Sequence, residues 1–190
     1  TYDRATGIFS HIPMTFKEGG KLEVNVSTII ERANGEILIG TSGHGIFLLN
    51  VTEGHIEARQ LPGFVPSYLI NQIYEDRNGT LWVITNDKGI YSIDTNQRMT
   101  HYPNGREIVW PSSICEDKTG NIYVGCLKNG LFKYNPQTNG FTHIKCSSHP
   151  ELPIKTLYNI NQDEIYIGTD GNGMKVYNIQ KGQIMESPVT

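Results

Sequence analysis

A ten-residue spacing recurs four times along this chain. Gly35, Gly79, Gly120 and Asp163 each stand ten positions before a second glycine, namely Gly45, Gly89, Gly130 and Gly173. The steps between copies are 44, 41 and 43 residues. A period of about forty residues, made of short apolar runs and turn signals, is what one four-stranded blade of a β-propeller requires.

Each copy reads as strands. A first run contains Ile29, Ile73, Ile114 or Leu157, and a polar turn such as Glu75-Asp76-Arg77-Asn78-Gly79 follows it. Asn, Asp and Gly tolerate the positive φ of a tight reversal, so Asp163 is expected to stand in for glycine on the same ground. The second runs, Ile37-Leu38-Ile39, Leu81-Trp82-Val83, Ile122-Tyr123-Val124 and Ile165-Tyr166-Ile167, are apolar at consecutive positions. Such strands are covered on both faces, as in blades stacked around an axis. A third run (Ile46-Phe47-Leu48-Leu49, Leu131-Phe132-Lys133-Tyr134) and a looser fourth (Phe141-Thr142-His143-Ile144) complete a copy. No stretch shows sustained helical periodicity, so the fold class is all-β.

Tyr2-Asp3-Arg4-Ala5-Thr6-Gly7-Ile8-Phe9-Ser10-His11-Ile12 matches Tyr134-Asn135-Pro136-Gln137-Thr138-Asn139-Gly140-Phe141-Thr142-His143-Ile144. The chain is therefore expected to begin inside a third strand. Residues 1–14 read as an outer strand of a preceding blade, followed by blades over about 26–60, 68–103, 110–146 and 154–187. The result is a β-propeller segment of about four four-stranded blades plus one extra outer strand. An unclosed arc exposes two blade faces, so either a longer parent chain or self-association through those faces is expected.

Composition narrows the partners. Sixteen Lys and Arg against 19 Asp and Glu leave a formal charge of −3, which argues against a surface that neutralises nucleic-acid phosphates. No apolar run is long enough for a membrane-spanning helix. Of three cysteines, Cys115 and Cys126 fall on neighbouring strands of one blade without standing opposite one another, and Cys146 lies in a loop; all three read as small apolar fillers. No metal-ligand spacing is present, and no cofactor is expected.

Residues 73–96, with Glu75-Asp76, Gly79, Leu81-Trp82-Val83, Gly89-Ile90-Tyr91 and Asp94, resemble the two-component regulator propeller repeat. Residues 114–141 are similar, with Glu116-Asp117, Gly120, Tyr123-Val124-Gly125, Gly130-Leu131 and Tyr134-Asn135. The outer copies keep Ile39-Gly40-Thr41 and Ile167-Gly168-Thr169 but lose the Glu-Asp pair. The resemblance implies a propeller in the periplasmic part of an inner-membrane-anchored hybrid histidine kinase of Bacteroides type, many of which respond to oligosaccharides. The kinase and other signalling domains would lie elsewhere in the parent chain.

In a blade, the loop between strands two and three emerges on the same face as the segment entering the next blade. The first set supplies His44, Asn86, Asp87, Lys88, Lys128, Asn129, Asp170 and Asn172, and the second supplies Tyr68, Trp110 and the segment from Ser147 to Lys155. Polar groups beside an aromatic platform suit a sugar, with Trp110 the first choice of platform and Tyr68 the second. Each has a plainer reading: turn geometry for the Asn and Asp residues, solvation for His44, packing between blades for Trp110.

Enzymatic motifs find little footing. Gly40-Thr41-Ser42-Gly43-His44-Gly45 lacks a P-loop lysine and does not enter a helix, and it recurs as Gly168-Thr169-Asp170-Gly171-Asn172-Gly173. Adjacent residues of a strand point to opposite faces, so the Glu-Asp pairs make poor acid–base dyads. Two readings stand: a non-enzymatic sensor segment that recognises a glycan or other small ligand on one propeller face, and a structural or protein-interaction platform without a small-molecule site. A propeller enzyme is a distant third.

Overall fold

The computed structural model describes residues 2–9, 13–17, 19–52, 55–61, 69–103, 108–145 and 151–187, and every regular element among them is a strand. Blade 1 comprises Val26–Glu31, Ile37–Thr41, Ile46–Thr52 and His55–Gln60. Blade 2 comprises Ile70–Glu75, Leu81–Thr85, Gly89–Ile93 and Met99–Pro103. Blade 3 runs through Val109–Glu116, Ile122–Lys128, Gly130–Asn135 and Gly140–Ile144, and blade 4 through Ile154–Asn159, Glu164–Thr169, Met174–Asn178 and Gln183–Glu186. Each sheet keeps its four strands in chain order, antiparallel, with the first strand at one edge. The first strands of successive blades lie against one another, which places them on the axis side of the arc. This is a β-propeller arrangement.

The core lies between the blades. Leu81–Thr85 and Gly89–Ile93 are buried at every position, as consecutive apolar residues require. Leu38 and Ile46 of blade 1 meet Ile73, Val83 and Tyr91 of blade 2. Trp82, Ile84 and Ile90 of blade 2 meet Ile114, Val124 and Phe132 of blade 3. Tyr123 and Leu131 of blade 3 meet Ile154, Ile165 and Ile167 of blade 4.

Hydrogen bonds repeat across these joints. The register of every first strand slips at one place, between Val26/Thr28, Ile70/Gln72, Pro111/Ser113 and Ile154/Thr156. A bulge leaves the extra residue outside the ladder. In three blades its side chain reaches the next blade: Ser27 Oγ donates to Ile70 O, Asn71 Nδ2 to Pro111 O and Ser112 Oγ to Ile154 O. One residue on, Gln72 Oε1 accepts Ile114 N–H at 2.9 Å and Ser113 Oγ accepts Leu157 N–H at 3.1 Å.

The Glu-Asp pair divides its work. Glu75 Oε2 accepts Ala33 N–H of blade 1 at 2.8 Å, and Glu116 Oε2 accepts Arg77 N–H of blade 2 at 3.1 Å. The guanidinium groups of Arg32 and Arg77 reach the same two glutamates. Asp76 and Asp117 instead fold back on their own turns: Asp76 Oδ1 accepts Asn78 and Thr80 N–H, and Asp117 Oδ1 accepts Thr119 and Asn121 N–H. Both carboxylates of each pair are thus spent on the fold.

Two expectations need correction. Gly35, Gly79 and Gly120 take φ of 83, 78 and 93°, but Asp163 is not among the residues with positive φ. Its turn is closed by Asn161, whose Oδ1 accepts Asp163 N–H at 2.8 Å. Residues 1–14 also do more than add an outer strand of a preceding blade. Tyr2–Asp3 and Ile8–Phe9 form a hairpin whose partners Tyr2↔Phe9 parallel Tyr134↔Phe141. Met14–Phe16 then runs parallel to His55–Gln60, as a fifth strand of the first sheet. Met14, Phe16, Leu22 and Val24 pack on Ile39, Phe47, Leu49 and Ala58, and the blade 2 counterparts of the first three, Val83, Tyr91 and Ile93, face blade 1. Burial of that otherwise open surface is the physical reason for the extra strand.

Cys115 and Cys126 are buried free thiols. Cys115 stands opposite Tyr123 and Cys126 opposite Pro111, so they are not partners. Burial pushes both thiols up to about 12, which leaves them unreactive at neutral pH. Cys146 lies outside the described residues.

Candidate functional site

In blades 1, 2 and 4 the loop between strands two and three is stiffened from below by a threonine. Thr41, Thr85 and Thr169 each donate Oγ1–H to the carbonyl four residues on, and each Oγ1 accepts a loop N–H, from His44, Lys88 and Asn172 respectively. The fourth strand adds a second brace: Gln60 Nε2 donates to His44 O at 3.0 Å, and His101 Nε2 to Lys88 O at 2.7 Å. The backbone is thereby satisfied internally, and the loop side chains project into solvent. His44, Asn86, Asp87, Lys88, Asp170 and Asn172 are all exposed.

Blade 3 departs from this plan. Cys126 occupies the threonine position and brings no hydroxyl to it. Asn129 adopts φ 71° in its place, ahead of Gly130 at 76°. The first strand of this blade starts early, with Val109 opposite Lys128 and Pro111 opposite Cys126. Between them Trp110 sits at φ 53°, where a bulky side chain is a conformational outlier. Its ring is 48% exposed, and Lys128 Nζ lies 4.7 Å from the ring centroid. That separation is within cation–π range.

Of the residues expected at a site, the structure brings Trp110 and Lys128 into contact. Asp87 and Lys88 lie within 4.0 Å of one another on blade 2. Asp170 faces Lys155 at 3.4 Å on blade 4. Lys155 occupies the bulge position that Ser27, Asn71 and Ser112 use for blade-to-blade bonds. Asn86 N–H donates to Leu69 O and Asp170 N–H to Pro153 O, which fixes each loop to the strand entry beside it. His44 borders a groove of about 410 Å³ shared with Leu22, Glu23 and Ser42. Tyr68 lies outside the described residues, as do residues 147–150 at the start of the segment from Ser147 to Lys155. Among the described residues no group of His, Cys, Asp and Glu is arranged to hold a metal.

The arrangement offers one exposed indole with a cation on its face, at the end of blade 3 that carries the loop between strands two and three. Sequence reasoning placed Trp110 and Lys128 on this face but not in contact. The signal that was missed is the loss of the supporting threonine at Cys126, which marks the blade whose loop is built differently.

Residues 65–87 match the family model described as two component regulator propeller. No curated protein matches the chain. Among solved structures, the extracellular domain of the candidate one-component system BT4673 of B. thetaiotaomicron superposes with a TM-score of 0.78 at 23% identity, over 99% of this chain and 27% of that one. The extracellular domain of the candidate hybrid two-component system BT3049 of B. thetaiotaomicron gives 0.66 at 16%, over 88% and 25%. A virginiamycin B lyase from Staphylococcus aureus, solved as a catalytically inactive variant with quinupristin, gives 0.68 at 15%, over 87% and 57%. The chain therefore spans about a quarter of the length of the first two, and what it shares with all three is the propeller fold.

Proposed function

We propose that this chain is a non-enzymatic, ligand-sensing segment of a periplasmic two-component sensor, and that it reads an oligosaccharide on the face carrying the loops between strands two and three. One observation carries the reading: Trp110 is held exposed at positive φ with Lys128 across its ring. Strained residues persist where the surrounding structure enforces them, and they cluster at binding sites. A flat indole contributes an apolar platform for a sugar ring, while the lysine and neighbouring carboxamides supply hydrogen bonds to its hydroxyls.

The two-component repeat at residues 65–87 and the likeness to extracellular sensor domains support the signalling context. In this reading the chain works as part of an inner-membrane-anchored parent, with further blades and signalling domains as its partners. Both carboxylate pairs serve the fold, which removes the residues an acid–base enzyme would need first.

A second reading, an interaction platform, draws on the end blades. Ile29 is 64% exposed, whereas its equivalents Ile73, Ile114 and Leu157 are buried in blade joints. Tyr158 is 67% exposed, whereas its equivalent Cys115 is buried. These faces fit another blade, whether of a parent chain or of a second copy.

A thermal-shift screen with neutral and acidic oligosaccharides tests the sensor reading. Stabilisation by at least one sugar that disappears in Trp110→Gly supports it. A screen with no stabilising sugar, alongside light scattering that shows a stable oligomer, favours the platform.

A further inference from the structure

The joint between blades 2 and 3 is hollow at the end opposite the Trp110 face. A cleft of about 350 Å³ opens there, beside the turns that follow the first and third strands of blade 2. Its walls include Trp82, Tyr102 and Tyr134. The rings meet edge to face, Trp82 with Tyr134 at 4.9 Å and Tyr102 with Tyr134 at 6.0 Å between centroids.

A polar chain runs through the cleft. Ser92 Oγ lies 3.3 Å from Tyr102 Oη, and the Tyr102 and Tyr134 hydroxyls both donate to Asn139 Oδ1, at 2.8 and 2.9 Å. Asn139 is held at φ 47°. Burial pushes the Tyr134 phenol up to about 12, with the hydrogen bond to Tyr102 adding to the shift, so it remains a protonated donor at neutral pH.

The equivalent positions at the other joints are occupied differently. Where blade 2 places Ser92 against Tyr134 of blade 3, blade 1 places Leu48 against Ile93 of blade 2, and both belong to an apolar cluster. At the third joint Lys133 takes the serine position, with Tyr177 as its counterpart. The exchange of a leucine–isoleucine pair for a serine–tyrosine pair is what leaves the second joint open and polar.

We propose that this cleft is a second binding site, for a neutral, hydroxyl-rich ring of sugar type. Among the described residues the lining contains no lysine, arginine or histidine of its own, and the nearby Arg98 guanidinium is already paired with Asp94 at 3.9 Å, so the cleft is not built for an anionic group. Its two carboxylates are committed elsewhere: Asp76 to Trp82 Nε1 and its own turn, Asp94 to the N–H groups of Asn96 and Arg98. Ser92, Thr80, Thr100 and the Asn139 amide supply hydrogen bonds to hydroxyls, and the aromatic rings supply flat apolar walls. The volume falls in the range of small-molecule sites.

The two tryptophans of the chain separate this site from the Trp110 face. In Trp110→Phe the only remaining indole is Trp82, in the cleft wall. The emission of that variant is titrated with glucose, galactose, mannose, N-acetylglucosamine, maltose and cellobiose. A saturable change with at least one sugar is expected. Asn139→Gly removes the carboxamide while accommodating the left-handed backbone, and it should weaken the response at least tenfold. Ser92→Leu, which copies blade 1, should abolish it without lowering the melting temperature. No saturable change with any sugar, or an unchanged response in Asn139→Gly, overturns the proposal. Either result leaves the reading of the Trp110 face to its own test.

Discussion

The indole N–H of Trp82 donates to Asp76 Oδ2 at 2.9 Å, six residues back along the chain. In blade 3 the Tyr123 hydroxyl meets Asp117 Oδ2 at 3.1 Å in the same way. Each aspartate therefore ties a turn to the most deeply buried aromatic ring of the following strand. Trp82 is 3% exposed and Asp76 8%, so water has little access to either group.

Replacing Asp76 by Ala orphans the indole N–H and two turn amides together. Each buried, unpaired donor costs about 1–3 kcal/mol. With the turn amides partly reclaimed by solvent, Asp76→Ala should lose about 2–4 kcal/mol in urea denaturation. An Asp76→Ala variant as stable as the parent would show that the turn is held by other means.

Asp117 links the fold to pH. Burial tends to raise its pKa, but the hydrogen bonds from Asn121 and Thr119 outweigh it and hold the carboxyl below its ordinary value. A carboxylate depressed in the folded state contributes stability that is fully present above its unfolded-state pKa of about 3.9 and is lost as the pH falls through the lower folded-state value. Acid denaturation followed by circular dichroism should show Asp117→Asn less stable than the parent at pH 7. The difference should narrow towards pH 3. A constant difference across that window would contradict the linkage.

Glu116 joins blade 2 to blade 3 through Arg77 N–H and the Arg77 guanidinium. Its side chain is 7% exposed, while that of Arg77 is 45% exposed, so the ion pair is partly screened. Glu116→Gln keeps an acceptor for the amide and should cost about 1 kcal/mol, whereas Glu116→Ala should cost about 2 kcal/mol. The cost of the Gln variant should shrink in high salt, and an effect indifferent to salt would argue against the ion pair.

Glycine at the end of the second strand marks close approach between blades. A Cβ on Gly125 would come within 2.3 Å of Ile154 Cγ2, and one on Gly40 within 2.5 Å of Ile70 Cγ2. Blade 2 carries Ile84 at this position, and there the following blade offers Pro111 where the others offer isoleucine. Gly125→Ala should therefore destabilise by about 1–3 kcal/mol through overpacking. Pairing it with Ile154→Ala should recover part of that loss, and the double variant's melting temperature provides the check.

The blade period, the order of strands and the buried second strands were legible in the sequence because turn glycines and apolar runs are local signals. The opposite roles of Glu75 and Asp76 were half legible: alternation said that they diverge, but nothing local said that Glu75 meets Ala33 of the preceding blade. Nothing in the local sequence marks the roles of Ser27, Asn71 and Ser112. Their partners lie forty or more positions away, and the bulge turns their side chains into the joint. Asp163 misled because its turn is closed by Asn161 rather than by a left-handed residue. The parallel strand Met14–Phe16 has no pattern of its own, since three residues carry no period. At the candidate site Trp110 and Lys128 were legible as loop residues, whereas their stacking depends on the early start of one strand.

The central claim is that the Trp110 face binds an oligosaccharide, and isothermal titration calorimetry of the intact chain beside Trp110→Gly tests it most directly. Glycine accommodates φ 53°, so the variant should melt at or above the parent temperature while lacking the platform. The account predicts saturable heat with at least one oligosaccharide for the parent and at least a tenfold weaker response for Trp110→Gly. Equal affinity in the two proteins, or no heat with any oligosaccharide, would contradict it.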